Sequence, residues 1–260
     1  MNLGLAGKKV VVTGASRGIG AAIAEAFAIE GSELALLARS EPALRQLAER
    51  LSAQVRATPI VADLARTDGA QAAIDRAIAE LGGIDVLVNN AGTSPFGSFD
   101  VTSDQDWQNA FNLKLMGYVR CTRAVLPAMR TQHSGTIINV VGMAGRNATA
   151  GYALGAFNAA LLHLTKSLSE LVASDGIRIS AINPGFTTTE RMRQAMTVWA
   201  LEANVDVETY TKDYVRKLPL GRFAEPAEIA RLVVLLASDV MELTTGSALQ
   251  ADGGSARGQF

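Results

Sequence analysis

The chain is poor in the side chains that build metal or disulfide centres: its 260 residues include one cysteine and two histidines. An internal disulfide is excluded and no metal is expected. Cys121, set in a helical pattern, reads as a small packed thiol rather than a nucleophile. Net charge is −1, and no run of Lys and Arg marks a face for nucleic acid or an anionic membrane. Hydrophobic residues make up 48% of the chain, enough for a sizeable core, yet no stretch approaches the ~20 consecutive apolar residues that span a bilayer. The opening "MNLGLAGKKVVVTG" enters a strand almost at once and lacks the order of a secretory signal, so a soluble, cytoplasmic protein with a small-molecule ligand is expected.

What is present is alternation. Apolar runs rich in Val, Ile and Leu ("KKVVVTG", "ELALLAR", "VRATPIVADL", "IDVLVNNAG", "GTIINVVG", "IRISAINPG", "SALQADGG") are separated by longer segments of helical periodicity such as "GIGAAIAEAFAIEG" and "EPAEIARLVVLLASD". That pattern predicts an α/β fold, a doubly wound parallel sheet of seven strands with helices on both faces, in one domain over residues 1–260. Gly31 and Gly176 stand where C-cap glycines belong, and Ser103 three residues before Asp106 reads as a capping box. The stretch from Phe186 to Arg222 is longer than an ordinary connection and carries Met192, Met196, Trp199, Tyr210 and Tyr214, which predicts a lid.

In such sheets ligands bind beyond the carboxyl ends of the strands. Directly after the first strand comes "TGASRGIG", where Gly14, Gly18 and Gly20 lead into a helix. Glycines there permit a tight turn and close backbone approach, and free amides at the helix start attract a pyrophosphate. The segment Gly14, Ser16, Arg17, Gly18, Ile19 and Gly20 is therefore the expected dinucleotide loop. The second strand ends at Ala38 and Arg39 rather than at an acid that would hold ribose hydroxyls. An arginine there pairs with a 2′-phosphate, so NADP is expected, with NAD as the alternative, and Arg17 adds a second contact. Asp63, with Leu64 beside it, ends the third strand; an adenine contact and an ordinary helix cap are both open for it.

"TGASRGIG", "NNAG" at 89–92, Asn112 in "FNLKLMG", "NPG" at 183–185 and "DGG" at 252–254 together resemble the short-chain dehydrogenase/reductase family in its single-domain form, over essentially the whole chain. The resemblance implies cofactor contacts at Asn90, Ala91, Gly92, Pro184, Gly185 and Thr187. It also implies a homodimer or homotetramer built on two long helices, here from Ser103 to Gln132 and from Leu154 to Ser174. Family members move hydride between a nicotinamide and a carbonyl or alcohol carbon with a Ser, a Tyr and a Lys in a Y-x-x-x-K pattern, and an Asn. A free phenol has a pKa of about 10, so the nearby ammonium brings its anion within reach of neutrality.

Here the chain departs from that pattern. Aligned on its flanks, "INVVGMAG" and "NAALLHLTKSL" place Gly142 at the Ser position, Leu154 at the Tyr position and Asn158 at the Lys position. Aligned on Tyr152 instead, Asn139 and Ala156 take the Ser and Lys positions. The first register needs a single deletion and is preferred; in both, the lysine and the serine are missing. Asn112, Tyr152 and Asn158 remain as candidate catalytic residues, with Asn158 also a candidate ribose ligand that carries no charge. Asn139, Asn147 and Thr149 are either donors to a substrate oxygen or backbone-bonded loop residues. Lys114, two residues after Asn112, is expected to point elsewhere on its helix, while His163 reads as a packed or interface residue and His133 as a loop residue. Three function classes follow: an NAD(P)-dependent oxidoreductase with altered proton handling, a nucleotide-binding scaffold or sensor, and a non-redox lyase or hydrolase reusing the pocket.

Overall fold

The computed structural model describes residues 2–92, 99–148 and 155–257. Seven strands form one all-parallel sheet: β1 (Lys9–Thr13), β2 (Glu33–Ala38), β3 (Ala57–Val61), β4 (Val86–Asn89), β5 (Gly135–Val140), β6 (Ile177–Pro184) and β7 (Ala248–Ala251). Their spatial order is β3-β2-β1-β4-β5-β6-β7, so the direction of winding reverses between β1 and β4. That is where a doubly wound sheet opens a crevice for a ligand. The strands are apolar on both faces because both are covered. On one side Val10, Val12, Val86, Val88 and Ile138 pack under α1 (Gly18–Ile29), α2 (Glu41–Leu51) and α9 (Pro226–Ala237). On the other, Val11, Leu87, Ile137 and Ile179 pack under α3 (Gly69–Leu81) and a long helical run beginning at Asp104.

The predicted ends are found. Gly31 and Gly176 hold φ of 79° and 76°, and Ser103 caps α4 (Asp104–Ala110) in a reciprocal box with Asp106. Ser103→Ala is expected to destabilise the protein by about 0.5–2 kcal/mol, read as a lower urea midpoint at unchanged slope. His133 is a loop residue, the left-handed C-cap between the next helix and β5, and His163 lies exposed on α6 (Gly155–Val172), which excludes a packed role and leaves the interface one. Cys121 is buried, and that burial pushes its thiol up to about 12, as a packed thiol requires.

The long helix expected from Ser103 to Gln132 is not uniform. Between α4 and α5 (Met116–Gln132) lies a π turn, Phe111–Leu115, whose closing bond runs from the Met116 amide to the Phe111 carbonyl. A π turn widens the helix by one residue and resets which side chains face the sheet.

Beneath the strand ends runs a buried amide ladder. Asn89 Nδ2 donates to Asn139 Oδ1 (3.0 Å) and to Thr122 Oγ1 (3.2 Å), Asn139 Nδ2 donates to Thr165 Oγ1 (2.9 Å), and that hydroxyl donates to the Leu161 carbonyl (2.7 Å). Asn139 is thus a structural link between β5 and α6, not a donor to substrate. Thr165→Val strands a buried N–H and should cost about 1–3 kcal/mol, again checked by denaturant unfolding.

The segment after β6 folds into two helices, α7 (Glu190–Glu202) and α8 (Val207–Arg216). Its aromatic residues pack on one another instead of lying free: Tyr214 meets Phe186 edge-on at 5.1 Å, stacks on Trp199 at 5.8 Å and lies 6.2 Å from Tyr210. Burial, helped by Tyr210, pushes the Tyr214 hydroxyl up to about 12.

Candidate active site

The glycine turn is built for something that needs bare backbone. Gly14 sits at φ +67°, where a Cβ would lie 2.8 Å from the Ala91 Cα. A Cβ on Gly20 would run into the Gly14 carbonyl and the Asn90 amide. Asn90 holds the turn from β4: its Nδ2 donates to the carbonyls of Thr13 (3.0 Å) and Gly14 (3.4 Å), while the Asn90 and Ala91 amides donate to Thr13 Oγ1. Arg17 occupies the N-cap of α1 with no side-chain cap, so the first amides of that helix are not taken by a capping side chain. Uncapped amides at a helix start, facing a cradle that any Cβ would fill, fit the pyrophosphate of a dinucleotide. Ser16 lies partly buried within this turn, and Ile19 turns onto the core beneath it.

At the β2 end, Arg39 and Ser40 are exposed, Ser40 makes no side-chain cap to α2, and neither Arg39 nor Arg17 has an ion pair among the described residues. The acid that follows, Glu41, is held by Arg45. Asp63 is not a helix cap, since α3 starts at Gly69 behind Asp68; its Oδ1 accepts the Ala65 amide at 3.0 Å in a local turn, and the Leu64 side chain is buried in the core.

Beyond β6, the Gly185 amide donates to the Ala251 carbonyl, and a Cβ on Gly185 would press on Asp252 at 2.7 Å, which brings "NPG" and "DGG" together. Thr187 is buried and its hydroxyl donates to the Gly185 carbonyl. Thr189 caps α7 by accepting the Met192 amide, and its Cγ2 lies 3.5 Å from where a Cβ of Gly18 would stand. The start of the two-helix segment therefore adjoins the glycine turn.

At the reactive end, Gly142 follows β5 at φ +119°, and Asn158 Nδ2 lies 3.2 Å from the position its Cβ would take. The two residues aligned with the family's Ser and Lys thus meet, with the Pro184 carbonyl beside them (4.0 Å). Asn112 lies in the π turn, where its carbonyl accepts Arg120 Nη1 at 3.0 Å. Asn147 closes a short turn onto the Met143 carbonyl. Tyr152, Leu154 and Thr149 lie outside the described residues.

The expectation for Lys114 is corrected. Instead of turning away, its Nζ donates to the carbonyls of Val141 (2.8 Å) and Val140 (3.3 Å), its stem crosses Gly92, and the ammonium lies 5.5 Å from the centre of the Tyr118 ring. Burial first, and then the charge of Arg191 on α7, push its ammonium down to about 7. The α-helical spacing used to read the sequence fails here because the helix is locally π. The available signal was a lone lysine between Leu113 and Leu115, an unusual place for a charge that stays in water.

A Rossmann crevice with a bare glycine turn at its switch point defines a dinucleotide-binding protein. The profile of the short chain dehydrogenase family matches residues 8–198. Oxidoreductase UcpA of Escherichia coli is 38% identical over 257 residues, covering 96% of this chain and 95% of its own. The 3-oxoacyl-[acyl-carrier-protein] reductase FabG of Staphylococcus epidermidis is 34% identical over 252 residues, covering 95% and 98%. Among solved structures, L-sorbose reductase from Gluconobacter frateurii, complexed with NADPH and L-sorbose, superposes with a TM-score of 0.92 at 33% identity over 99% of this chain and 100% of that one. The chain belongs to the short-chain dehydrogenase family, a family of NAD(P)-binding oxidoreductases. No described helix is long and apolar enough to cross a membrane, and the described residues hold no metal-binding cluster of His, Cys, Asp and Glu.

Proposed function

We propose that the protein is an NADP(H)-preferring oxidoreductase that interconverts a small carbonyl compound and its alcohol, with proton handling that departs from the family's Ser, Tyr and Lys set. The observation that carries this reading is the pairing of a glycine cradle closed to any Cβ with two exposed arginines, Arg17 at the start of α1 and Arg39 at the end of β2, that make no ion pair among the described residues. Relatives support it: L-sorbose reductase and an actinorhodin polyketide ketoreductase, TM-score 0.93 at 28% identity, are both described with NADPH.

In this reading the nicotinamide supplies or takes the hydride. The chain's own residues do the rest. The α1 amides and Gly14, Gly18 and Gly20 hold the pyrophosphate, and Arg17 and Arg39 hold the 2′-phosphate. Gly185 and Thr187 would frame the reactive ring, and Asn158, neutral and buried, would bond its ribose. The helices α7 and α8 close over the substrate as a lid anchored by the Tyr214 cluster. The test is NADPH and NADH oxidation, followed by the loss of nicotinamide absorbance, with ketoses, diketones and 3-oxoacyl thioesters, beside calorimetric binding of each coenzyme. Tight NADPH binding with turnover of one substrate class is expected. Binding without oxidation of any compound would instead favour a nucleotide-binding scaffold.

A further inference from the structure

Two family groups are missing from the β5 and α6 side of the cleft, and one cation has arrived from the other side. We propose that Lys114 is the general acid of this site, the group whose proton joins the substrate oxygen when a carbonyl is reduced. This deepens the oxidoreductase reading and rests on it.

The π turn Phe111–Leu115 carries Lys114 onto the carboxyl ends of β4 and β5, the end of a parallel sheet where ligands bind. Its stem passes over Gly92, where a Cβ would lie 3.0 Å from Lys114 Cδ, so the glycine of "NNAG" leaves room for the lysine stem. The Val140 and Val141 carbonyls take two of the three N–H groups of an ammonium and leave one for a ligand. Val141 is followed by Gly142, so the carbonyl that holds the ammonium belongs to the residue next to the one aligned with the family's serine. A purely structural role is a poor account of this lysine. Among the described residues no carboxylate pairs with it, and a methionine of similar length would fill the same place with no charge to desolvate.

The groups that face the ammonium leave its proton exchangeable. Arg191 approaches from α7 and the Tyr118 ring from α5, while β5 presents only carbonyls. With the ammonium brought down to about 7, the proton can be given and regained near neutrality, which is the condition for efficient acid catalysis. In the reductive direction, hydride bonds to the carbonyl carbon, the C=O pair moves to oxygen, and oxygen takes the proton from Lys114 Nζ. The lysine is left as a neutral amine that solvent recharges. In the oxidative direction the amine receives the proton of the alcohol. Reduction therefore needs the ammonium and should fall as pH rises through about 7, while oxidation needs the amine and should rise over the same range.

Two measurements decide the matter. The first is competitive acetylation with acetic anhydride from neutral to strongly alkaline pH, read lysine by lysine by mass spectrometry. Lys114 should titrate at about 7 while surface lysines titrate at about 10.4, and NADPH should shield it. An unshielded Lys114 titrating with the surface lysines overturns the proposal, whether or not a substrate is known. In parallel, Lys114→Met and Lys114→Arg are compared with the parent for NADPH affinity and turnover. Both should keep NADPH binding; Lys114→Met should lose roughly 10²- to 10⁴-fold in kcat/KM, and Lys114→Arg should lose the inflection near neutrality. Hydride transfer by the parent that Lys114→Met matches in rate and pH profile sinks this inference alone. A parent that binds NADPH yet reduces nothing sinks the oxidoreductase reading beneath it.

Discussion

Gly20→Ala should cripple coenzyme binding while leaving a folded protein, with Kd for NADPH and NADH raised alike by about 10- to 100-fold. Two effects oppose each other. Alanine in a helix is favoured over glycine by about 1 kcal/mol, so on local propensity the variant gains. Against this, the new Cβ meets the Gly14 carbonyl, which is backbone, and the Asn90 amide, which is already bonded to the Thr13 and Gly14 carbonyls. Neither can step aside without opening the turn, and forced overpacking of this kind costs typically about 1–3 kcal/mol. Steric cost wins, and it falls on the pyrophosphate cradle. Gly7 provides the contrast: it has a left-handed φ of +72° but nothing within 4 Å of where a Cβ would stand, so Gly7→Asn tests backbone strain without a collision and should leave both affinities unchanged. Calorimetry with both coenzymes, alongside urea unfolding, separates loss of the site from loss of the fold. A Gly20→Ala protein that binds NADPH as tightly as the parent would remove the glycine turn from the nucleotide site.

The strands were legible because a parallel sheet covered on both faces leaves an unbroken apolar run, and each of the runs that meets the crevice ends in residues suited to a ligand, such as Gly14, Arg39 and Asn90. The same holds for Ser103 and Asp106, whose bonding is local in sequence. What could not be read depends on contacts distant along the chain or on a departure from the helical period. Asn139 and Thr165 are 26 residues apart, so nothing in either neighbourhood announces that one satisfies the other. The aromatic residues between Phe186 and Phe223 are consistent with a lining surface until Tyr214 is seen to gather them. Lys114 escapes a periodic reading for a different reason. Periodicity assumes about 3.6 residues per turn, and the π turn breaks that rule where Lys114 is delivered to the ends of β4 and β5. Functional sites are where local rules are most often broken, and a lysine flanked by leucines inside a helical run was the visible trace.

Arg39→Asp should reverse coenzyme preference. Arg39 stands exposed at the end of β2 without an ion pair among the described residues, and Arg17 stands beside the glycine turn, whose Ala15 amide is bonded to the Leu37 carbonyl at 3.1 Å. A lone surface ion pair is worth little, because water and salt screen it. A 2′-phosphate changes that balance: it carries nearly two charges and accepts bidentate bonds from a planar guanidinium, and hydrogen bonds to charged groups are worth about 1.5–3 kcal/mol. Removing Arg39 as Arg39→Ala should therefore raise Kd for NADPH by about 10- to 100-fold and barely move that for NADH. Aspartate goes further, since its carboxylate repels the phosphate and accepts from the two ribose hydroxyls of NAD. Arg17→Ala should act in the same direction with a smaller effect, because Arg17 stands at the start of α1, beside the amides that hold the pyrophosphate common to both coenzymes. The preference should also shrink as salt rises from about 0.05 to 0.5 M, where the screening length falls well below about 10 Å. The measurement is the ratio of kcat/KM or Kd for the two coenzymes across these variants and salt concentrations. An unchanged ratio in Arg39→Ala would place the selectivity elsewhere, and a ratio insensitive to salt would deny that the phosphate is held by charge.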